Sequence, residues 1–230
     1  LSAGTARYFE DRIDSDRFLL VEPAGAPSLK ESLTAGHRVK LRNIDNFVDG
    51  AAVAEIGERN FEILSRFRPD QVLTVPENAI CLTMTKILNT EGIVLEPAGA
   101  LSISALEALG PAQLAGKSVV AVVSGGNFDF ERLPDVKERA MRYAGTKKYF
   151  ILRLPQRPGA LKDLLNLLGP EDDISRFEYL KKSARNFGSI LIGIETRSPE
   201  NFALLIEAFD QAGLSYQDIT DNETISNLII

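Results

Sequence analysis

Apolar residues along the chain alternate between short, near-continuous runs and longer stretches at helical spacing. Phe18-Leu19-Leu20-Val21 is a short apolar run ending in Glu22-Pro23. Residues 52–67 carry Val53, Ile56, Phe61, Ile63 and Leu64 at roughly helical intervals and predict a helix. Residues 71–75, Gln-Val-Leu-Thr-Val, predict a strand, and Pro76-Glu77 opens a helix to about Leu88. Ile93-Val94-Leu95 predicts another strand, after which Glu96-Pro97 starts a helix, proline being suited to a first turn. Residues 117–123 predict the last strand of this region. Near-continuous apolar strands alternating with helices imply an α/β fold with a parallel sheet covered on both faces. "VEPAGAPSL" (21–29) and "LEPAGALSI" (95–103) look alike, but nothing between them does. They read as one strand-to-helix turn used twice, not as a repeat.

Residues 132–143 form a charged helix that reads as a connector, and after Gly145 the texture changes. Residues 148–154 predict a strand, and "PQRPGALKDLLNLLG" a turn and an amphipathic helix with Leu161, Leu164, Leu165 and Leu168 on one side. Residues 173–182 alternate through Ile174, Phe177 and Tyr179, the last two sharing a face as core. Residues 189–196 predict a strand, Ser198 an N-cap, Phe202, Leu205, Ile206 and Phe209 a helix face, Gly213 its end and residues 214–219 a last strand. The order is βαββαβ, the split ferredoxin-like motif. Two domains are expected, 1–146 and 147–230.

Composition narrows the function. A net charge of −6 argues against a nucleic-acid or anionic-membrane surface. The single cysteine, Cys81, leaves no intramolecular disulfide and fits a reducing, cytoplasmic compartment. No apolar run reaches the roughly 20 residues that span a bilayer, and no signal peptide is visible. The chain opens at Leu1 in what reads as a helix already under way, so a preceding segment is expected.

The chemistry concentrates at Ser124-Gly125-Gly126-Asn127, where a predicted strand ends. In open α/β sheets ligands bind beyond the carboxyl ends of the strands. A serine hydroxyl there can serve a ring nitrogen or a phosphate oxygen, and two glycines let a flat ligand approach the backbone. Taken alone, the tetrapeptide is equally a glycine turn closing a strand. His37 reads as a surface residue, Cys81 as buried, and Lys30 and Lys40 as surface lysines. In the second half, Gln156-Arg157-Pro158-Gly159-Ala160 joins a strand to a helix N-terminus, whose free amides favour a carboxylate.

"SGGN" (124–127), "DGAAV" (49–53) and "EPAGALSISAL" (96–106), in that chain order, resemble the fold-type II pyridoxal-phosphate enzymes, and within them the threonine dehydratases. "LPQRPGAL" (154–161) and "DDISRFEYLKK" (172–182) resemble their ACT-like regulatory domain. The resemblance implies part of a tryptophan synthase β-like catalytic domain followed by a ferredoxin-like ACT-like domain, with pyridoxal 5′-phosphate as cofactor. It implies that Ser124 bonds the pyridine nitrogen, with Gly125, Gly126 and Asn127 in the turn beside the ring. Asp49 and Gly50 would line the substrate side, Glu96 would pack near the ring, and Leu1 would follow the phosphate loop. Gln156, Arg157, Pro158, Gly159, Ala160, Phe177 and Tyr179 would hold an effector.

The same resemblance implies β-elimination of L-threonine, with L-serine as a second candidate, to 2-oxobutanoate and ammonia in isoleucine biosynthesis. Isoleucine and valine are the implied effectors, and a dimer or tetramer the implied assembly. Glu22, Ala26 and Ser28 match a metal-holding loop of related racemases and dehydratases. Ser28 replaces an aspartate there, and a hydroxyl is a poor ligand for a hard cation, so no metal is expected. The family's Ser-aromatic-Lys-aliphatic-Arg-Gly motif, which carries the Schiff-base lysine, does not occur in these residues, and "SLKES" and "KLRN" both break it. The chain by itself is therefore expected to be inactive. Two rivals are a non-enzymatic amino-acid sensor and a serine dehydratase or racemase relative.

Overall fold

A computed structural model describes residues 1–180 and 187–222. The chain divides into two compact units, Leu1–Ala140 and Met141–Ile230.

In the first unit, α1 (Ser2–Tyr8) leads through a single 3-10 turn to β1 (Leu20–Pro23) and α2 (Ser28–Ala35). Then come α3 (Glu58–Leu64), β2 (Val72–Val75), α4 (Glu77–Glu91), α5 (Pro97–Leu114) and α6 (Leu133–Tyr143), the helix in which the unit boundary falls. Gly36 and Gly92, both with positive φ, end α2 and α4 as left-handed caps. β1 and β2 pair in parallel, Leu20 opposite Val72 and Pro23 opposite Val75. One core cluster joins Ala6, Leu20, Leu64, Phe67 and Val72, and a second gathers Val75, Ile80, Cys81, Met84, Leu101 and Val136.

Several expected elements in this unit come out differently. Residues 93–95 and 117–123 form no strand; Ile93 is 51% and Val120 88% exposed. β-branched runs suit a pleated sheet, but a strand exists only where a partner supplies the ladder, and among the described residues β1 and β2 pair only with each other. The helix expected over 52–67 shortens to α3, because Gly57 is extended and residues 52–56 stay in a loop whose Ala54 carbonyl accepts from the Leu41 amide. The two similar segments are not one turn used twice. After Glu96 the helix begins at once with Pro97, whereas after Glu22 it waits until Ser28. Pro27 explains the delay, since a residue before proline is driven out of the helical region, and Leu101 stands at the matching place in the second segment.

The second unit contains β3 (Lys147–Pro155), α7 (Ala160–Leu165), β4 (Asp173–Leu180), β5 (Phe187–Glu195), α8 (Glu200–Gln211) and β6 (Ser215–Asp218). The sheet is antiparallel with order β4-β5-β3-β6, which is the ferredoxin-like arrangement. Alternate residues Phe150, Leu152 and Leu154 of β3 and Ile190, Ile192 and Ile194 of β5 face the helices. Phe202, Leu205 and Phe209 of α8 close this core, with the Phe150 and Phe209 rings edge-to-face at 5.7 Å.

Here too the details depart from the pattern. α7 is one short helix in which only Leu164 of the four leucines is fully buried; Leu161 and Leu165 are exposed. Phe177 and Tyr179 are each 37% exposed because β4 is the edge strand, and it carries a bulge between Ile174 and Arg176. Residues 181 and 182 of the expected strand lie outside the described residues. Pro199, not Ser198, occupies the N-cap of α8, and the Ser198 hydroxyl donates to the Glu200 carboxylate instead of receiving a backbone amide.

Phe209→Ala should cost about 3–5 kcal/mol of stability, because it empties the centre of the second core. Leu204→Ala, on the same helix at a position 67% exposed, should change stability by less than about 0.5 kcal/mol. Denaturant unfolding measures both; equal losses would mean that α8 docks by another face.

Candidate functional site

Residues far apart in the chain meet at the first turn of α5. Glu96 is its extended N-cap and Pro97 its first residue. The Glu96 amide donates to the Gly125 carbonyl at 3.2 Å. This contact explains both glycines. A Cβ on Gly125 would overlap the Glu96 carboxylate, and one on Gly99 would overlap the Gly125 carbonyl. A Cβ on Gly126 would come within 3.1 Å of the Val94 carbonyl. The Phe128 amide donates to the Gly126 carbonyl at 2.9 Å, so Asn127 is the centre of a three-residue turn. One turn deeper in α5, the Ser102 hydroxyl donates to the Val122 carbonyl at 2.9 Å and anchors the approach.

The Asp49-Gly50 loop reaches the same point. A Cβ on Gly50 would lie 2.9 Å from the Ala98 Cβ and 3.6 Å from Glu96 Oε1. Phe47 and Val48 are buried below, while the Asp49 side chain is 72% exposed and faces Arg132 Nη1 at 3.7 Å. Ser124 is exposed, and its hydroxyl makes no hydrogen bond within the described residues. The structure thus brings Gly50, Glu96, Gly125 and Gly126 together, with Ser124, Asn127 and Asp49 on the open side. Leu1, 77% exposed, begins α1, whose main neighbour is α3. Sequence reasoning missed Gly99 and Ser102. A glycine inside an otherwise apolar helix was the available signal for the first.

Other singled-out residues have structural partners. The Glu22 carboxylate accepts from the Leu29 amide at 2.8 Å and the Lys30 amide at 3.0 Å, capping α2. Burial raises its pKa from the ordinary carboxylate value, against the opposing pull of those amides, the Ser28 hydroxyl and the Lys30 charge. Burial pushes the Cys81 thiol up to about 12, which leaves it unreactive. His37 and Lys40 are exposed; Lys30 is half-buried.

In the second unit, Gly159 adopts φ 83° and starts α7. The Ala160 amide is taken by the Arg157 carbonyl at 3.3 Å, and Arg157 Nη2 pairs with Asp163 at 2.6 Å. Arg157, Pro158 and Gly159 are exposed, Gln156 is half-buried and Ala160 is buried. Phe177 and Tyr179 lie on β4, with β5 between it and β3, so that roughly 10 Å, two strand spacings, separates them from the strand that leads into this turn. The Tyr179 ring crosses Gly188, where any Cβ would collide with it.

Known proteins fix the class. Residues 1–125 match the family described as "Pyridoxal-phosphate dependent enzyme", and residues 138–229 match "C-terminal regulatory domain of Threonine dehydratase". The chain belongs to the pyridoxal-phosphate dependent enzymes. More particularly, it is 45% identical to a biosynthetic L-threonine dehydratase (IlvA) of Halalkalibacterium halodurans, over all of this chain and 55% of that protein. It is 43% identical to the corresponding protein of Bacillus subtilis, over 54% of that length. It spans about half the length of these relatives. Among solved structures, the processed threonine deaminase isoform 2 of Solanum lycopersicum is similar at 34% identity and a TM-score of 0.55, covering 60% of this chain and 40% of that one. Maize serine racemase is similar at 28% identity and a TM-score of 0.51, covering 60% of this chain and 43% of that one. The residues at α5 fit the cofactor of this family: the exposed Ser124 hydroxyl, with no hydrogen bond among the described residues, is a neutral group beside Gly125 and Gly126.

Gly99→Ala should destabilise the chain by about 1–3 kcal/mol, since its methyl meets backbone rather than a movable side chain. Gly4→Ala, exposed in α1 with open space around it, should stabilise by up to about 1 kcal/mol. Urea unfolding distinguishes them, and a neutral Gly99→Ala would contradict the close approach of the turn to α5.

Proposed function

We propose that the full-length protein containing this chain is a threonine dehydratase, converting L-threonine to 2-oxobutanoate and ammonia for isoleucine biosynthesis. The observation that carries the reading is end-to-end similarity, at 45% identity, to a biosynthetic threonine dehydratase. The match of residues 138–229 to the regulatory domain of threonine dehydratase favours this reading over the racemases that share the fold. When bound, pyridoxal 5′-phosphate supplies the electron-withdrawing ring that lets the α C–H of an amino acid ionise and its β-hydroxyl leave. The released enamine hydrolyses to 2-oxobutanoate and ammonia.

Each residue then has a task. The Ser124 hydroxyl would hold the pyridine nitrogen, and as a neutral donor it would leave that nitrogen unprotonated, which suits elimination. Gly125 and Gly126 let the ring lie against the backbone, with Asn127 at the turn. The Glu96 carboxylate, already fixed at the start of α5, borders this surface. Asp49 and Gly50 line the substrate side, and Leu1 follows the phosphate loop. The amine that binds the cofactor covalently comes from outside these 230 residues. L-threonine is the substrate in this reading, with L-serine as a second candidate.

The second unit serves as the sensor in this reading. Isoleucine, the end product, is the first effector candidate and valine the second. The exposed turn at residues 157–159 presents the Gly159 amide to a carboxylate, and the half-exposed Phe177 and Tyr179 offer apolar surface. The same exposed edge strand suits pairing between subunits in a homo-oligomer. A single, buried cysteine suits the reducing cytoplasm.

Purified full-length protein should release 2-oxobutanoate from L-threonine, as read by a coupled dehydrogenase assay. Ser124→Ala should leave folding intact but weaken cofactor retention by about 0.5–1.5 kcal/mol and slow turnover; unchanged cofactor absorbance and rate would refute the role of Ser124. Titration calorimetry should detect isoleucine binding that Gly159→Val abolishes without unfolding. If isoleucine, valine and threonine all fail to bind at millimolar concentration, the second unit is not a sensor of these amino acids.

A further inference from the structure

The Asp49-Gly50 loop is held from outside the site. Arg132, in the 3-10 turn that runs into α6, donates from Nη2 to the Phe47 carbonyl at 2.8 Å. Its Nη1 stands 3.7 Å from Asp49 Oδ2, and its guanidinium carbon lies 4.8 Å from the centre of the Phe47 ring. Arg139, on α6, sets its own guanidinium 4.4 Å from the same ring and is oriented by Asp135 at 3.0 Å. Both arginines line an open cleft of about 340 Å³ with Asp45, Asn46, Phe47 and Asp49. The other end of the loop has its own ties. The Asp45 amide donates to the Gly25 carbonyl at 3.0 Å, and the Ala51 and Ala52 amides close a turn on the Val48 carbonyl at 2.9 and 2.7 Å.

We propose that Arg132 is a positioning residue that fixes the Asp49-Gly50 loop, assisted by Arg139 across the Phe47 ring, so that α6 sets the geometry of the substrate side. Three independent contacts from one planar cation, a hydrogen bond, an ion pair and a ring contact, define the place of residues 47–49 more tightly than any one of them could. A lysine has one point of attachment and cannot reproduce the fork. The helix concerned is the one in which the first unit ends and the second begins, so a change in the pose of α6 would be transmitted to the loop through these arginines. The inference rests on the reading that Asp49 and Gly50 border the substrate.

The test uses the full-length protein with cofactor bound and compares Arg132→Met, Arg132→Lys and, as a control, Lys137→Met on the exposed side of α6. Amide hydrogen exchange is followed in peptides covering residues 45–52 and, as an internal standard, residues 77–91 of α4. In Arg132→Met the loop should exchange roughly tenfold faster while α4 is unchanged, since the opening is local. Turnover of L-threonine should fall roughly 10- to 100-fold in kcat with KM moving far less, as expected when reacting groups are misplaced rather than lost. Arg132→Lys should restore both in part, and it carries the test if Arg132→Met does not fold. Lys137→Met should change neither. Unchanged exchange in the loop, or α4 opening to the same degree, would overturn the proposal. Faster loop exchange with wild-type kinetics would leave the clamp standing and instead refute the placement of Asp49-Gly50 beside the substrate.

Discussion

Everything around the candidate site depends on how closely one turn can approach the start of a helix. The Gly125 carbonyl is pressed between the Glu96 amide and the bare face of Gly99, where no side chain can be added on either partner. Three segments, around residues 50, 96–99 and 124–127, are thereby forced to share a few ångströms of space. Proline at position 97 makes the approach easier, since the first turn of α5 starts in a fixed conformation with one fewer amide to satisfy. Ser124, next to this packing, is exposed, and its hydroxyl has no hydrogen bond among the described residues.

The two units reach stability by different means. The first buries its core between helices and a two-stranded parallel pair, and its loops are fixed by side chains that reach the backbone, such as Glu22 capping α2 or Arg132 on the Phe47 carbonyl. The second relies on strict alternation along β3 and β5 against one face of α8. A domain built from repeated, redundant contacts can leave Phe177 and Tyr179 of its edge strand half-exposed without losing its core.

The sequence was legible where one local signal decides the structure. The α4 and α5 starts followed from Pro76-Glu77 and Glu96-Pro97, and the βαββαβ order of the second unit followed from alternation and the glycine that ends its second helix. It misled where the outcome depends on a partner. Residues 119–123 have strand-like side chains but no ladder among the described residues, and Phe177 and Tyr179 have core-like alternation on an edge strand. The likeness of residues 21–29 and 95–103 hid the effect of one proline at position 27. The grouping of Ser124, Gly125, Glu96 and Gly50 came from resemblance, not from periodicity; Arg132 and Gly99 escaped because their roles appear only once distant segments meet.

In the proposed cofactor site, the turn at 124–127 is held against α5 so that Ser124 can serve the pyridine nitrogen. A crystal structure of the full-length protein with pyridoxal 5′-phosphate tests it most directly. The expected result is the Ser124 hydroxyl within hydrogen-bonding distance of the pyridine nitrogen, roughly 2.7–3.2 Å, with the Glu96 amide still on the Gly125 carbonyl. A carboxylate on that nitrogen instead, or a cofactor bound away from the start of α5, would contradict it.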